Sequence, residues 1–348
     1  MRTPCSPVVV LGALVSLGCQ GPQDYLRGAG PAADRLAWLG GFALVVVSAT
    51  CVVMWLLLGW LAVRKRGTFD EHAPVEDEGG QRWIVFGGVA IPIAVLAVLL
   101  GMTLFVGARF PMARGHGASP EIRLTGQQWW FDARYLAASA EECGKEPTER
   151  DPDTAVSVPT ELHVPVGIPI DVELVSRDVI HSFWVPKLHG KVDMIPGQSN
   201  HVRIEATRPG TFAGECGEFC GVEHARMRVE VVAQTPLEFD RWLAAQRLPA
   251  AEPISEQERL GRAVFERSGC LLCHQIRGTA AHGNVGPDLT HVASRHRIAG
   301  GALENDTANL AAWITHAQSL KPGCQMPDLT RFSGEELLAL VAYLQRLR

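Results

Sequence analysis

The sequence has no charged residue across positions 36–63, a stretch of 28, nor across 83–108, a stretch of 26. A bilayer-spanning helix needs about 20 residues, and a buried helix of a soluble protein seldom runs so long without a polar face. Both stretches are therefore expected to cross a membrane. An excess of basic side chains is also lacking: 32 Lys and Arg against 37 Asp and Glu leave a formal charge of -5, which argues against nucleic acid as a partner. Charged residues make up only 20% of the chain against 47% hydrophobic ones, and that balance excludes an intrinsically disordered protein. The nine cysteines are too sparse in 348 residues for a disulfide scaffold. Several of them cluster at spacings that point to cofactor attachment. At roughly 150 residues per domain, the length allows about two domains.

The segment between the two apolar stretches begins Arg64-Lys65-Arg66, whereas Arg27, Arg35, Arg109 and Arg114 are scattered outside them. Positive charge concentrates on the cytoplasmic side, so the expected topology is a two-pass hairpin with both termini outside. Residues 8–17 form a short apolar run after Arg2, followed by Gly18 and Cys19. This resembles a lipoprotein signal over 1–19 with Cys19 as the lipidated new N-terminus. Ser16 stands where such a signal usually has leucine, so an ordinary signal peptide or an uncleaved start stays open. The hairpin region is expected over 20–117.

Beyond Arg109 the pattern changes. Ile170, Val172 and Leu174 alternate with Asp171 and Glu173, and Met227, Val229 and Val231 alternate with Arg228 and Glu230, the period of strands with one buried face. Pro165, Gly167, Pro169, Pro196, Gly197, Pro209 and Gly210 punctuate these runs. A small β-sandwich over 118–233 fits. Within it lies Cys216-Gly-Glu218-Phe-Cys220-Gly-Val-Glu-His224-Ala-Arg-Met227, with His181 upstream. Two thiolates, two imidazoles and a thioether form a soft donor set suited to copper, zinc or iron. Two Cys and two His alone make a closed zinc site. Met227 argues against zinc, because a thioether adds little there but is a familiar weak ligand of copper electron-transfer centres, and a one-copper blue site needs only one cysteine.

These residues resemble the binuclear copper A centre in subunit II of haem-copper oxidases. The resemblance implies a cupredoxin-like sandwich in which Cys216 and Cys220 bridge two coppers and His181 and His224 bind one each. Met227 would complete one copper and the main-chain carbonyl of Glu218 the other. It further implies that the Glu218 carboxylate reaches a magnesium or manganese ion at the boundary with subunit I. Gly126-Gln-Gln-Trp129-Trp-Phe131 is similar to the family's aromatic stretch, making Trp129 the point where electrons enter the copper pair. Asp178 reads either as a satisfied turn carboxylate or as part of a surface that docks the donor and orients a ligand histidine, and Lys191-Val-Asp193-Met-Ile-Pro-Gly197 matches a family stretch near subunit I. Two departures stand out. Val85 aligns where the family often carries a proton-channel glutamate, leaving Glu78 as a candidate. Residues 138–158 form an acidic insertion whose Cys143 has no partner by spacing.

Residues 235–248 are expected to form an amphipathic helix, and Pro249-Ala-Ala-Glu-Pro253 a short stiff linker closing the segment 234–254. A last module covers 255–348. Ser255-Glu-Gln-Glu258 and Ser333-Gly-Glu-Glu336 are capping-box patterns opening helices. Between them stands Cys270-Leu-Leu-Cys273-His274, the pattern of c-type haem attachment. Two thiols at this spacing can add to the two vinyl groups of one haem while His274 comes under the iron. A redox dithiol or zinc half-site is the competing reading, but His282, His291, His296 and His316 show no paired spacing. A low-spin electron carrier wants a thioether as second axial ligand, and Met326 supplies it. Its surroundings, Ser319-Leu-Lys-Pro-Gly-Cys-Gln-Met326-Pro-Asp, resemble the methionine loop of class I cytochromes c, all-α proteins; Gly286-Pro-Asp-Leu289 resembles the segment that packs on their haem.

The order of parts resembles subunit II of caa-type cytochrome c oxidases: a multidomain membrane protein with a transmembrane hairpin, a copper A domain and one covalent haem c. The resemblance implies residence in a bacterial cytoplasmic membrane with both cofactor domains outside, and partnership with subunit I and other oxidase subunits. An external donor, a cytochrome c or a quinol-oxidising complex, would supply electrons, and oxygen reduction would belong to subunit I. Two other readings stay open: the corresponding subunit of a copper A-containing nitric oxide reductase, and a membrane-anchored electron carrier acting alone.

Overall fold

The computed structural model describes residues 21–64, 80–111, 121–136 and 155–348. The signal segment with Cys19, the residues Lys65, Arg66 and Glu78, and the part of the acidic insertion that carries Cys143 lie outside the described residues. The chain divides into two compact units. One takes in residues 25–27 and 34–110, the other 1–24, 28–33 and 111–348.

The first unit is dominated by two apolar helices, α1 (Pro31–Val63) and α2 (Gly80–Gly107), both long enough to cross a bilayer. Most side chains along them are exposed, the exceptions lying mainly in the N-terminal third of α1. A helix apolar on all sides is suited to hydrocarbon rather than water. Within α2, Phe86–Ala90 is wound as a π-helical turn, with the Ile91 N–H bonded to the Phe86 carbonyl. The proline that follows, Pro92, has no N–H to donate, which accounts for relaxation of the helix at this point.

In the second unit ten strands form two sheets packed face to face. One sheet has the order β3 (Val156–Pro159), β2 (Trp130–Tyr135), β1 (Ile122–Gln127), β5 (Ile170–Ser176), β8 (Asn200–Ile204); the other has β4 (Glu161–Pro165), β10 (Arg228–Gln234), β9 (Gly210–Cys216), β6 (His181–Trp184), β7 (Val192–Met194). Two neighbouring pairs are parallel, β1 with β5 and β4 with β10; the mixture of parallel and antiparallel pairs is that of a cupredoxin-like sandwich. The alternation read from sequence places Ile170, Val172 and Leu174 from one sheet and Met227, Val229 and Val231 from the other in the shared core. Helix α3 (Pro236–Gln246) opens on a Thr235/Glu238 capping box and buries Phe239 and Leu243 against the sandwich.

The C-terminal module is helical: α4 (Glu256–Arg267), α5 (Thr307–Thr315), α6 (Ala317–Leu320) and α7 (Gly334–Arg346), with a small hairpin, β11 (Arg297–Ile298) and β12 (Leu303–Glu304). Both capping boxes, Ser255/Glu258 and Ser333/Glu336, are formed. Helices α4 and α7 meet at Gly261, where an added Cβ would fall 1.9 Å from the Ala339 carbonyl oxygen. Gly261→Ala is expected to force the two helices apart and cost about 1–3 kcal/mol, the range for overpacking. Thermal or denaturant unfolding of the outer portion checks this, and a wild-type midpoint would contradict the crossing.

Candidate copper and haem centres

The thiol, imidazole and thioether residues converge at one end of the second sheet. His181 begins β6, Cys216 ends β9, Cys220 lies in the following loop, His224 opens a single 3-10 turn, and Met227 stands immediately before β10. The loop is closed where the Cys216 N–H donates to the Met227 carbonyl at 2.9 Å. Cys216 Sγ lies 3.7 Å from Cys220 Sγ, 3.8 Å from His181 Nδ1 and 3.2 Å from the Glu218 carbonyl oxygen. Cys220 Sγ lies 3.6 Å from His224 Nδ1 and 3.9 Å from Met227 Sδ. The two sulfurs are free thiols. Ligands on a tetrahedral metal at about 2.3 Å stand roughly 3.8 Å apart, so these separations suit donors facing a metal between them. Four of the five donors are buried, with His181 and Met227 fully enclosed, while His224 is half-buried.

Electrostatics favours a thiolate here. The hydrogen bond from the Cys220 thiol outweighs burial, and with help from His181 it holds Cys216 down to about 3, while Cys220 is pushed up by the same pairing. Burial depresses His181, but its bonds to the Cys216 sulfur and the Asp178 carboxylate outweigh that and raise it. Asp178 is the organiser on this side: Oδ1 lies 2.8 Å from His181 Nε2, and Oδ2 accepts the Gln128 N–H at 2.8 Å. It therefore orients the imidazole so that Nδ1 faces the sulfur. Gly126 stands against the ring, where an added Cβ would come within 3.1 Å of His181 carbons.

Trp129 is 8% exposed, and its ring N–H donates to the Cys220 carbonyl at 2.9 Å. The Gln128 amide donates to the same oxygen at 2.8 Å. The Glu218 carboxylate lies outside the sulfur cluster and pairs with Lys191 at 2.8 Å; Lys191 also pairs with Asp193 at 2.8 Å.

Cys270 opens a 3-10 turn, Cys270–Leu272, Cys273 follows it directly, and the His274 N–H donates to the Cys270 carbonyl at 3.0 Å. His274 Nδ1 lies 2.8 Å from the Pro287 carbonyl, which assigns the proton to Nδ1 and leaves the Nε2 lone pair for a metal. Burial keeps this imidazole below its usual range and so neutral. Gly286 makes room, since a Cβ there would stand 2.6 Å from the ring. His274, both cysteines and Met326 line one cavity of about 250 Å³, whose remaining wall is largely apolar and includes Leu289, Leu310 and Ile314. Neutral imidazole, thioether, two free thiols and an apolar wall suit a haem. Gln318 secures the methionine loop by donating to the Cys324 carbonyl at 2.7 Å and the Met326 carbonyl at 2.6 Å.

Two further residues of this region carry no motif of their own. Gln128 is visible in sequence only as a polar neighbour of Trp129, and Lys321 only as a member of the methionine loop. Lys321 reaches the sandwich, donating to the Trp129 carbonyl at 2.7 Å.

A membrane hairpin carrying a copper-type sandwich and a haem-type helical domain defines a membrane-anchored electron-transfer protein. Residues 121–234 match the family described as cytochrome c oxidase subunit II, periplasmic domain, and residues 259–348 match cytochrome c. Cytochrome c oxidase subunit 2 of Alkalihalophilus pseudofirmus is 32% identical over 339 residues, covering 95% of this chain and 93% of that protein. That of Bacillus subtilis is 26% identical over 363 residues, covering 98% and 97%. The solved periplasmic domain of cytochrome oxidase subunit II of Bradyrhizobium japonicum is 28% identical and covers 39% of this chain and 97% of its own, at a TM-score of 0.32. The chain belongs to the cytochrome c oxidase subunit 2 family, in the form with a C-terminal cytochrome c domain. It is a component of an oxidoreductase complex, and its two domain types imply copper A and haem c.

Removing the charge that orients His181 should loosen the metal without unfolding the sandwich. Asp178→Asn is expected to lower copper affinity about 10–100-fold. Competition with a copper chelator measures this, and an unaltered affinity would show that Asp178 has no such role.

Proposed function

We propose that the chain accepts electrons from an external donor on a haem held by Cys270, Cys273, His274 and Met326. It then passes them by way of Trp129 to a copper pair held by His181, Cys216, Cys220, His224, Met227 and the Glu218 carbonyl, and on to subunit I, where oxygen is reduced. When bound, the haem and the coppers supply the one-electron chemistry. The residues of the chain hold, orient and insulate them. His274 offers a neutral Nε2 because the Pro287 carbonyl occupies Nδ1. Asp178 does the corresponding work for His181 from the opposite ring nitrogen.

The observation that carries this reading is the place of Trp129. Its ring is bonded to the Cys220 carbonyl, and the residue also lines the cavity that contains His274 and Met326. One residue thus touches the wall of both centres. In a subunit receiving electrons directly at the copper domain, this tryptophan would face solvent; here it is enclosed, which supports delivery from the haem side. The membrane hairpin supports a chain anchored beside subunit I with its cofactor domains outside. The Glu218 and Asp193 carboxylates, bridged here by the Lys191 ammonium, support a magnesium or manganese ion taking the place of that cation when subunit I is present.

Met326→Ala is expected to abolish the low-spin methionine-ligated haem signature, leave the copper spectrum unchanged, and slow donor-driven oxygen uptake by the complex at least tenfold. Optical and electron spin resonance spectra with an oxygen electrode check it; a wild-type haem spectrum would remove Met326 from the iron. Uptake of nitric oxide in place of oxygen by the wild-type complex would move the chain to a nitric oxide reductase.

A further inference from the structure

Lys321 is one of the most buried charged side chains in the molecule, at 3% exposure. Its ammonium donates to the Trp129 carbonyl at 2.7 Å and the Ala299 carbonyl at 2.8 Å, yet among the described residues it forms no ion pair. An ammonium has three donors and a full charge, and two neutral carbonyls leave one donor and the charge uncompensated. Buried charges are ordinarily paired. The carboxylate with most influence on it, Glu223, is engaged by Arg226 at 3.3 Å. Burial pulls the Lys321 ammonium down to about 8, as the lack of a close counter-ion requires.

The surroundings are built to admit this side chain. Gly300 has φ +68°, and an added Cβ would stand 2.2 Å from the Trp129 carbonyl oxygen and 2.6 Å from Lys321 Nζ. Only glycine leaves the passage open and accepts that backbone conformation. Lys321 lies on the wall of the cavity that also holds Cys270, His274 and Met326. Of the other two cations on that wall, Arg297 pairs with Glu230 at 3.2 Å, whereas Arg295 donates to the neutral Asp288 carbonyl and, like Lys321, forms no ion pair among the described residues, leaving one cation for each of two carboxylates. A haem carries two carboxylate groups, the missing counter-charge in this cavity.

We propose that Lys321 takes a carboxylate of the haem as its counter-ion and, through its bond to the Trp129 carbonyl, acts as a positioning residue that holds the haem against the copper domain. The inference rests on the haem assignment above. It would give the cofactor a polar anchor near Trp129, in addition to Cys270, Cys273, His274 and Met326, which would hold it. Loss of the ammonium leaves the haem carboxylate unpaired and stabilises the oxidised iron, so the haem potential falls. It also frees the haem edge from Trp129, so transfer to the copper pair slows.

The test uses the full chain in its oxidase complex. Lys321→Met removes charge and donors together, whereas Lys321→Gln keeps two N–H donors and removes only the charge. Both variants are expected to lower the haem midpoint by at least threefold in the oxidised-to-reduced ratio, about 28 mV for one electron, with the copper A potential unchanged. Flash-initiated haem-to-copper electron transfer is expected to slow at least fivefold in Lys321→Met. A haem potential in Lys321→Gln equal to wild type, with haem fully incorporated, would overturn the ion pair. If Lys321→Met does not assemble, Lys321→Gln alone decides. Absence of haem from the wild-type chain is a different failure and counts against the haem assignment itself.

Discussion

The antiparallel pairing of β9 with β10 is the constraint on which the proposed copper site depends. Cys216 closes one strand, Met227 stands at the threshold of the other, and the main-chain bond between them ties off a loop of ten residues. Cys220 and His224 have no freedom to drift because both ends of their loop are anchored in a paired sheet. His181 is brought to them by the neighbouring pairing of β6 with β9, where Phe183 faces Cys216. Ligands placed on such a frame are held with more precision than ligands on free loops. For electron transfer this rigidity matters, because a centre whose bond lengths change little between oxidation states passes electrons with little reorganisation.

The copper frame and the helical domain are joined by polar contacts that surround Trp129. The Arg228 N–H donates to the Gly300 carbonyl at 3.0 Å, Glu230 meets His296 at 3.1 Å and Arg297 at 3.2 Å, and the Arg226 guanidinium donates to the Leu320 carbonyl at 2.7 Å. Exposed ion pairs contribute little individually. The buried members of the set, the Glu161 carboxylate bonded to the His296 N–H and the Lys321 ammonium on the Trp129 carbonyl, are the ones expected to hold the register. On the electron path proposed above, fusing the donor domain to its acceptor would turn a collision between proteins into a step within one molecule, at a fixed high effective concentration.

Much of this arrangement is legible in the sequence because it depends on local pattern. The two uncharged stretches are the two long helices, since the bilayer demands length and apolarity and little else. The alternation from Met227 to Val231 reports the buried face of β10, and Ser255/Glu258 and Ser333/Glu336 mark helix starts that depend only on residues three apart. The proposed copper donor set stands out in the sequence because four of its five side chains lie within twelve residues. What could not be read is what arises from contacts distant in the chain. Nothing about Lys321 distinguishes it from a solvated surface lysine until Trp129, 192 residues away, is brought beside it. Gln128 and Gly300 are equally mute. Pro249–Pro253 reads as a plain connector, yet the Ala250 N–H donates to the Arg277 carbonyl at 2.9 Å, a contact no composition rule supplies.

The central claim is that two sulfurs, two imidazoles and a thioether in this geometry hold a pair of coppers, in a chain that also carries one haem. Metal analysis of the full chain purified in its complex, combined with electron spin resonance, tests it most directly. For this subunit's share, the account predicts two coppers with one covalently bound iron porphyrin, and a signal from one unpaired electron spread over both coppers. Stoichiometric zinc in the sandwich, or a single copper with a localised signal, would contradict it.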